Sequence, residues 1–292
     1  MNSDKILLVE MNSLTPQERF MQYAIEFARD LNLKVLFIQV FNPELYPIGL
    51  PYTTGNEVLF TQENLSYISN DIMQNLKATH QKIIPRLSDK YLPEVEIRTE
   101  TGISYNIING YSKNNPVEMV MIEGNTDSLN RNFLSDEGMD IIRKSKSPVL
   151  VIPTDITYKP FKKIVYATDY HEEDINTLKR TIKIAHLFSS EVIAVHFTEN
   201  LNFRERINGR GFEKLINERV GYDKLKFEIL PDEGKNMVYS LNNYIDSSGT
   251  DLVVLLKENE NFIERVFTKS DVKKAIKHLH LPLLIFHENI RS

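Results

Sequence analysis

The chain has 292 residues, no cysteine and a formal net charge of −5, and a length of that order suits about two domains. The absent cysteines exclude a disulfide framework, thiolate metal ligands and a thiol nucleophile. The mild acidity argues against general nucleic-acid binding.

Hydrophobic residues make up 41% of the chain, enough for real cores, while glycine occurs only 11 times. Apolar runs such as Asp251-Leu-Val-Val-Leu-Leu256 fall far short of the ~20 residues a bilayer needs. The opening Met1-Asn-Ser-Asp-Lys5 leads into a strand-like run without a leader pattern. A cytoplasmic protein with no membrane segment is the expectation.

In chain order, Lys5-Ile-Leu-Leu-Val-Glu10 reads as a short apolar strand, followed by a helical pattern through Ala24-Ile-Glu-Phe-Ala-Arg-Asp-Leu31. Lys34-Val-Leu-Phe-Ile-Gln-Val40 is the second strand. From Glu63 to Lys90, Leu65, Ile68, Ile72, Leu76, Ile83 and Leu87 recur at helical spacing, with a gap at His80 and a proline at 85 expected to kink or end the helix. Val95-Glu-Ile-Arg-Thr-Glu-Thr-Gly102, Val117-Glu-Met-Val-Met-Ile-Glu123 and Pro148-Val-Leu-Val-Ile152 supply further strands.

The series then starts again. Lys163-Ile-Val-Tyr-Ala-Thr168 repeats the first strand, Thr181-Ile-Lys-Ile-Ala-His-Leu-Phe188 the first helix and Glu191-Val-Ile-Ala-Val-His-Phe197 the second strand. Phe227-Glu-Ile-Leu-Pro-Asp-Glu-Gly234, Thr250-Asp-Leu-Val-Val-Leu-Leu256 and Pro282-Leu-Leu-Ile-Phe286 complete the set. The offset between copies falls from 157 to 132 after the second strand, so the first copy carries an insertion of about 25 residues. This insertion, at about 42–60, is Pro- and Tyr-rich and reads either as a surface excursion or as a lid over a crevice. Alternating strand and helix with doubly covered, continuously apolar strands predicts an α/β fold with parallel, doubly wound sheets. The predicted domains are 1–154 and 160–289, joined by a linker at 155–159 within Pro153-Thr-Asp-Ile-Thr-Tyr-Lys-Pro160.

Ligands in such sheets bind beyond the carboxyl ends of the strands. After the first strand the copies differ: Met11-Asn-Ser13 in one, Thr168-Asp-Tyr-His-Glu-Glu-Asp174 in the other. Asp169 suits a ribose or base contact, or a helix N-cap with Glu172 at the capping-box position. His196, in a buried strand, reads as a hydrogen-bonded core histidine. His278 and His280, two residues apart, do not share a helix face, so no metal site is expected. No nucleophile elbow, metalloprotease signature or Gly-Lys-Ser/Thr loop occurs, so no catalytic residue is assigned. Lys162-Lys163 and the other short basic pairs read as solvated faces.

Lys163-Ile-Val-Tyr-Ala-Thr-Asp169, Val192-Ile-Ala-Val-His-Phe197 and His280-Leu-Pro-Leu-Leu-Ile-Phe286 resemble the universal stress protein family. The first half resembles it through Lys5-Ile-Leu-Leu-Val9 and Ser145-Lys-Ser-Pro-Val-Leu-Val-Ile-Pro153. The resemblance implies two tandem Rossmann-like domains of the adenine nucleotide alpha hydrolase-like type, each with a five-stranded parallel sheet and helices on both faces. It also implies a stress-response role and pairing through the last strand of each domain, here Val149-Leu-Val-Ile152 and Leu283-Leu-Ile-Phe286. That pairing would make the chain its own pseudo-dimer, with a homodimer or an unidentified protein partner beyond it.

One branch of the family binds ATP through Gly-x2-Gly-x9-Gly-Ser/Thr after the fourth strand. Here Gly124 keeps only the first glycine, with Asp127 at the second; Lys257 and Glu260 replace both in the second copy. Either Ser135-Asp136 or Glu137-Gly138 takes the end of the first loop, and Ser270, beside Asp271, the end of the second. Carboxylates at those helix starts repel phosphate while favouring the helix dipole, so no cofactor is expected. The alternative is ATP in a modified second-domain site using Asp169, Ser270 and the Phe197 backbone, with Gly124 the remnant in the first.

Overall fold

The computed structural model describes residues 4–11, 17–42, 62–87, 91–124, 135–154, 156–232, 237–257 and 280–288. The 42–60 insertion, Asp127, Glu260, Ser270 and Asp271 therefore lie outside the described residues, except for Asn42 at the insertion's edge. Two compact units emerge, Met1–Glu123 with Asp136–Ser145, and Gly124–Ser135 with Lys146–Ser292.

The first unit contains β1 (Ile6–Met11), α1 (Glu18–Leu31), β2 (Lys34–Phe41), α2 (Gln62–Leu87), β3 (Val95–Thr101), α3 (Ser104–Asn114), β4 (Val117–Gly124) and α4 (Asp136–Lys144). Its strands run parallel in the order β3-β2-β1-β4. Leu7, Leu8 and Val9 are fully buried, as expected of a central strand covered on both faces. On α2, Ile72, Leu76, Ile83 and Leu87 face the core, and Thr79 fills the gap in the apolar series at His80. Burial without a partner for Nε2 pulls the His80 pKa down. Pro85 sits in the last turn of α2, which stops two residues later.

The second unit contains β5 (Val149–Pro153), β6 (Lys163–Ala167), α5 (Asp174–Phe188), β7 (Glu191–Thr198), α6 (Phe203–Val220), β8 (Leu225–Pro231), α7 (Met237–Ser248), β9 (Leu252–Lys257) and β10 (Leu283–His287). The strand order is β5-β10-β9-β6-β7-β8. Five strands, β10, β9, β6, β7 and β8, run parallel. β5 joins them antiparallel, with Leu283, Leu284 and Ile285 opposite Val151, Leu150 and Val149.

The same local devices recur in both units. α1 and α5 each end on a residue in the left-handed region, Asn32 at φ 53° and Ser189 at φ 54°. The next amide then closes the helix, Leu33 N donating to Ala28 O and Ser190 N to Ala185 O, both at 2.9 Å. Lys34 N donates to Lys5 O at 2.9 Å in one unit and Glu191 N to Lys162 O at 2.8 Å in the other, which sets the register of the first two strands.

Asp251 anchors the start of the second unit. Its Oδ2 accepts from Lys162 N at 2.8 Å and Lys163 N at 3.0 Å, and Oδ1 lies 2.6 Å from Lys159 Nζ. Burial works to raise its pKa, but these donors outweigh it and hold the carboxyl below its usual value. Asp251→Ala strands two amides at the mouth of β6 and should cost about 2–3 kcal/mol in urea unfolding; an unchanged midpoint would contradict the assignment. Lys163, expected as a solvated side chain, is instead half-buried, because its Nζ donates to Ser248 O at 2.7 Å at the C-terminus of α7.

Candidate functional site

In the second unit the strand ends are occupied by a tightly held loop. β6 ends at Ala167 opposite Val195 of β7, and Thr168 N still donates to Val195 O at 2.9 Å. Alternation along the strand turns the backbone of Phe197 the same way, past the last residue of β6. Asp169 follows, its carboxylate 44% exposed and 3.8 Å from His196 Nδ1. Tyr170 takes a left-handed backbone at φ 64°, uncommon for an aromatic residue. That turn lays its ring on His196 with centroids 4.0 Å apart and beside Phe212 and Phe227. Burial, then the Glu205 carboxylate, pushes the Tyr170 hydroxyl pKa up.

His196 is largely buried, with 12% of its side chain exposed. Its Nδ1 lies 2.8 Å from Thr168 O; a carbonyl only accepts, so Nδ1 carries the proton. Nε2 then faces Glu205 Oε1 at 3.2 Å. The Nδ1 bond ties the loop after β6 to β7, as expected of a hydrogen-bonded core histidine, while Glu205 Oε1 has no hydrogen-bond partner among the described residues.

The cap expected from Asp169 is not made. The helix begins at Asp174, after an N-cap at Glu173 that makes no side-chain bond. Asp174, 1% exposed, takes over. Tyr166 Oη donates to its Oδ1, and Thr168 Oγ1 and His171 N donate to its Oδ2, the last at 2.9 Å. Burial raises the pKa of Asp174 against the lowering effect of these donors. Tyr170 N donates to Thr168 Oγ1 at 3.1 Å and completes the knot.

The strand ends of the first unit are carboxylate-rich. Glu10 at the end of β1 is 2% exposed and Glu123 at the end of β4 is 8% exposed. Glu137, in the first turn of α4, is half-buried and has its pKa raised by burial. Glu10 is pushed up to about 8, first by burial and then by the Glu137 charge, with a smaller contribution from Glu123; a hydrogen bond with Ser104 at the start of α3 works the other way. Glu10 therefore holds its proton at neutral pH. A phosphate beside Glu123 and Glu137 would meet like charge in a low-dielectric setting, so these residues do not suit a triphosphate.

Of the predicted site residues, Asp169 and Phe197 come together at the ends of β6 and β7, and Ser270 lies outside the described residues. Gly124 is a structural joint: its carbonyl accepts from Thr154 N at 3.0 Å and Thr154 Oγ1 at 3.2 Å. Lys257 holds the same place at the end of β9, its carbonyl accepting from Glu288 N at 3.2 Å. Sequence reasoning assigns no role to Glu10 or Tyr170 and gives Asp174 only a part in favouring the helix dipole. For Glu10 a signal existed: a charged residue closing a fully apolar run, where the other copy has Thr168. Among the described residues no three His, Asp or Glu side chains are placed to hold a metal ion, and no helix is long and apolar enough to cross a membrane.

A universal stress protein from Archaeoglobus fulgidus DSM 4304 superposes on 98% of this chain and 96% of its own, with a TM-score of 0.71 at 13% identity. The chain has the universal stress protein fold. A functionally unknown protein from Pseudomonas aeruginosa PAO1 matches 98% of this chain and 94% of its own with a TM-score of 0.59 at 14% identity. The universal stress protein fold also matches the cytoplasmic domain of a prokaryotic cation chloride cotransporter, over 98% of this chain and 96% of that domain, with a TM-score of 0.51 at 12% identity. No family model and no curated protein sequence matches the chain.

Proposed function

We propose that the chain is a tandem universal stress protein-type module that acts in the stress response by protein interaction, without catalysis and without ATP. The reading rests above all on the buried carboxylates Glu10 and Glu123, joined by Glu137, at the strand ends of the first unit. A nucleotide site of this fold places phosphate beyond such strand ends, where backbone amides and a helix N-terminus favour an anion. Here the Glu123 and Glu137 carboxylates, with the buried and protonated Glu10 beside them, stand in that space. In the second unit Tyr170 and Asp174 pin the loop after β6. Self-association through β5 and β10 and an unidentified protein partner belong to the same proposal.

One observation favours a second reading, an adenine-nucleotide sensor in the second unit. Asp169 presents a half-exposed carboxylate beside the Phe197 backbone, an arrangement suited to a ribose or base edge. Thermal melting with ATP and Mg²⁺ separates the two. A ligand at a hundred times its dissociation constant adds about 2.7 kcal/mol of apparent stability. We expect a flat melting temperature up to millimolar ATP. A rise that disappears in Asp169→Ala would instead establish the sensor.

A further inference from the structure

The inner face of α6 is fully used. Gly209, Phe212 and Ile216 pack it down, and Glu205 reaches His196. A Cβ on Gly209 would stand 2.2 Å from Ile229 Cδ1 and 3.2 Å from the Tyr170 hydroxyl, so the helix lies close against the sheet. Its opposite face has the composition of a contact surface. Phe203 is 79% exposed, Ile207 52% and Leu201, just before the helix, 45%. Residues 203, 207 and 210 stand at i, i+4 and i+7, which aligns Phe203, Ile207 and Arg210 in one stripe. Arg204 and Arg206 flank it.

Arg204, Arg206 and Arg210 are exposed, and none forms an ion pair among the described residues. Elsewhere on the chain exposed cations do find carboxylates, as in Lys226 with Glu191 and Arg86 with Glu18. Three uncommitted guanidinium groups around bulky apolar side chains, on a chain of net charge −5, make a local feature of opposite sign to the whole.

We propose that the outer face of α6, from Leu201 to Arg210, docks an acidic protein segment carrying bulky apolar side chains. Guanidinium groups pair carboxylates in bidentate geometry, and Phe203 and Ile207 supply the apolar contact that charge alone lacks. The stripe spans about 10 Å, two helical turns, a size suited to a short segment and a transient contact. A membrane is the weaker occupant, because an interfacial helix needs a broad apolar face free to roll into the lipid, and the apolar inner face of α6 is already packed on the sheet. The proposal rests on the interaction-module reading and names its partner chemistry. The two fail separately, since this surface is remote in kind from ATP-dependent melting.

The test uses the full chain and a short fluorescent peptide of Asp and Glu carrying Leu and Phe, with anisotropy as the readout. Saturable binding that weakens with salt is expected. It should fall at least about tenfold in Phe203→Ser with Ile207→Ser, and equally in Arg204→Gln with Arg206→Gln and Arg210→Gln, with melting temperatures unchanged. No saturable binding, or binding that survives both sets of substitutions, overturns the proposal. So does a result in which these substitutions release phosphatidylserine vesicles but leave peptide binding intact.

Discussion

Glu10→Gln is expected to stabilise the protein at neutral pH and to flatten its stability over the range between pH 5 and pH 8. In the native state the Glu10 carboxyl titrates at about 8 instead of the ordinary 4.5. Between those values the folded chain keeps a proton that the unfolded chain has released, so unfolding releases a proton and stability falls as pH rises. Below the ordinary value both states are protonated and Glu10 costs little. Above about 8 both are ionised and the full burial penalty remains. The slope approaches 1.4 kcal/mol per pH unit at most, amounting to a few kcal/mol across the window. Glutamine keeps an acceptor for Ser104 and carries no charge, which removes the penalty. Urea unfolding of both proteins from pH 5 to pH 9 measures the difference. Parallel curves would mean that Glu10 is ionised in the native state.

Asp174→Ala should be the most damaging single change in the second unit, at about 3 kcal/mol or more. It leaves Tyr166 Oη, Thr168 Oγ1 and His171 N without their acceptor in a buried setting. Asp174→Asn retains volume but turns an amide donor toward hydroxyl donors, so it should recover only part of the loss. Local disruption should also free Tyr170 from His196, visible as a changed near-ultraviolet circular dichroism signal. A variant with native stability and an unchanged spectrum would show that the loop is held by the Tyr170 ring alone.

The sheet was legible because continuous apolar stretches record burial on both faces: Ile6 to Val9 in β1, Met119 to Ile122 in β4, Ile164 to Ala167 in β6 and Leu252 to Leu256 in β9, and the fully buried Leu7 to Val9 and Ile164 to Tyr166 follow from that. The start of α5 was not legible. Asp169 and Glu172 have capping-box spacing, yet three acids stand in a row at 172–174 and composition alone does not choose among them. Tyr170 decides the matter by entering the left-handed region, which delays the helix until Asp174 can reach back to Thr168. The choice depends on an aromatic pocket built by β7, β8 and α6, residues distant in sequence. Glu10 was hidden for a related reason: its pKa is raised first by burial and then by the Glu137 charge, both of which arise only on folding. Gly124 was read through its place in a phosphate loop; that its carbonyl accepts from Thr154 depends on a strand pairing that the sequence does not display.

The antiparallel seam between β5 and β10 has a consequence for how this chain can be divided. The strand that closes the first sequence repeat hydrogen-bonds to the strand that closes the second. The second repeat made without β5 would leave the outer edge of Leu283 to Ile285 as a bare ladder of amides and carbonyls, ready to recruit any strand of matching register. The repeats are therefore not interchangeable cassettes: each half was shaped with the other's border already in place, and severing them trades a private junction for promiscuous adhesion.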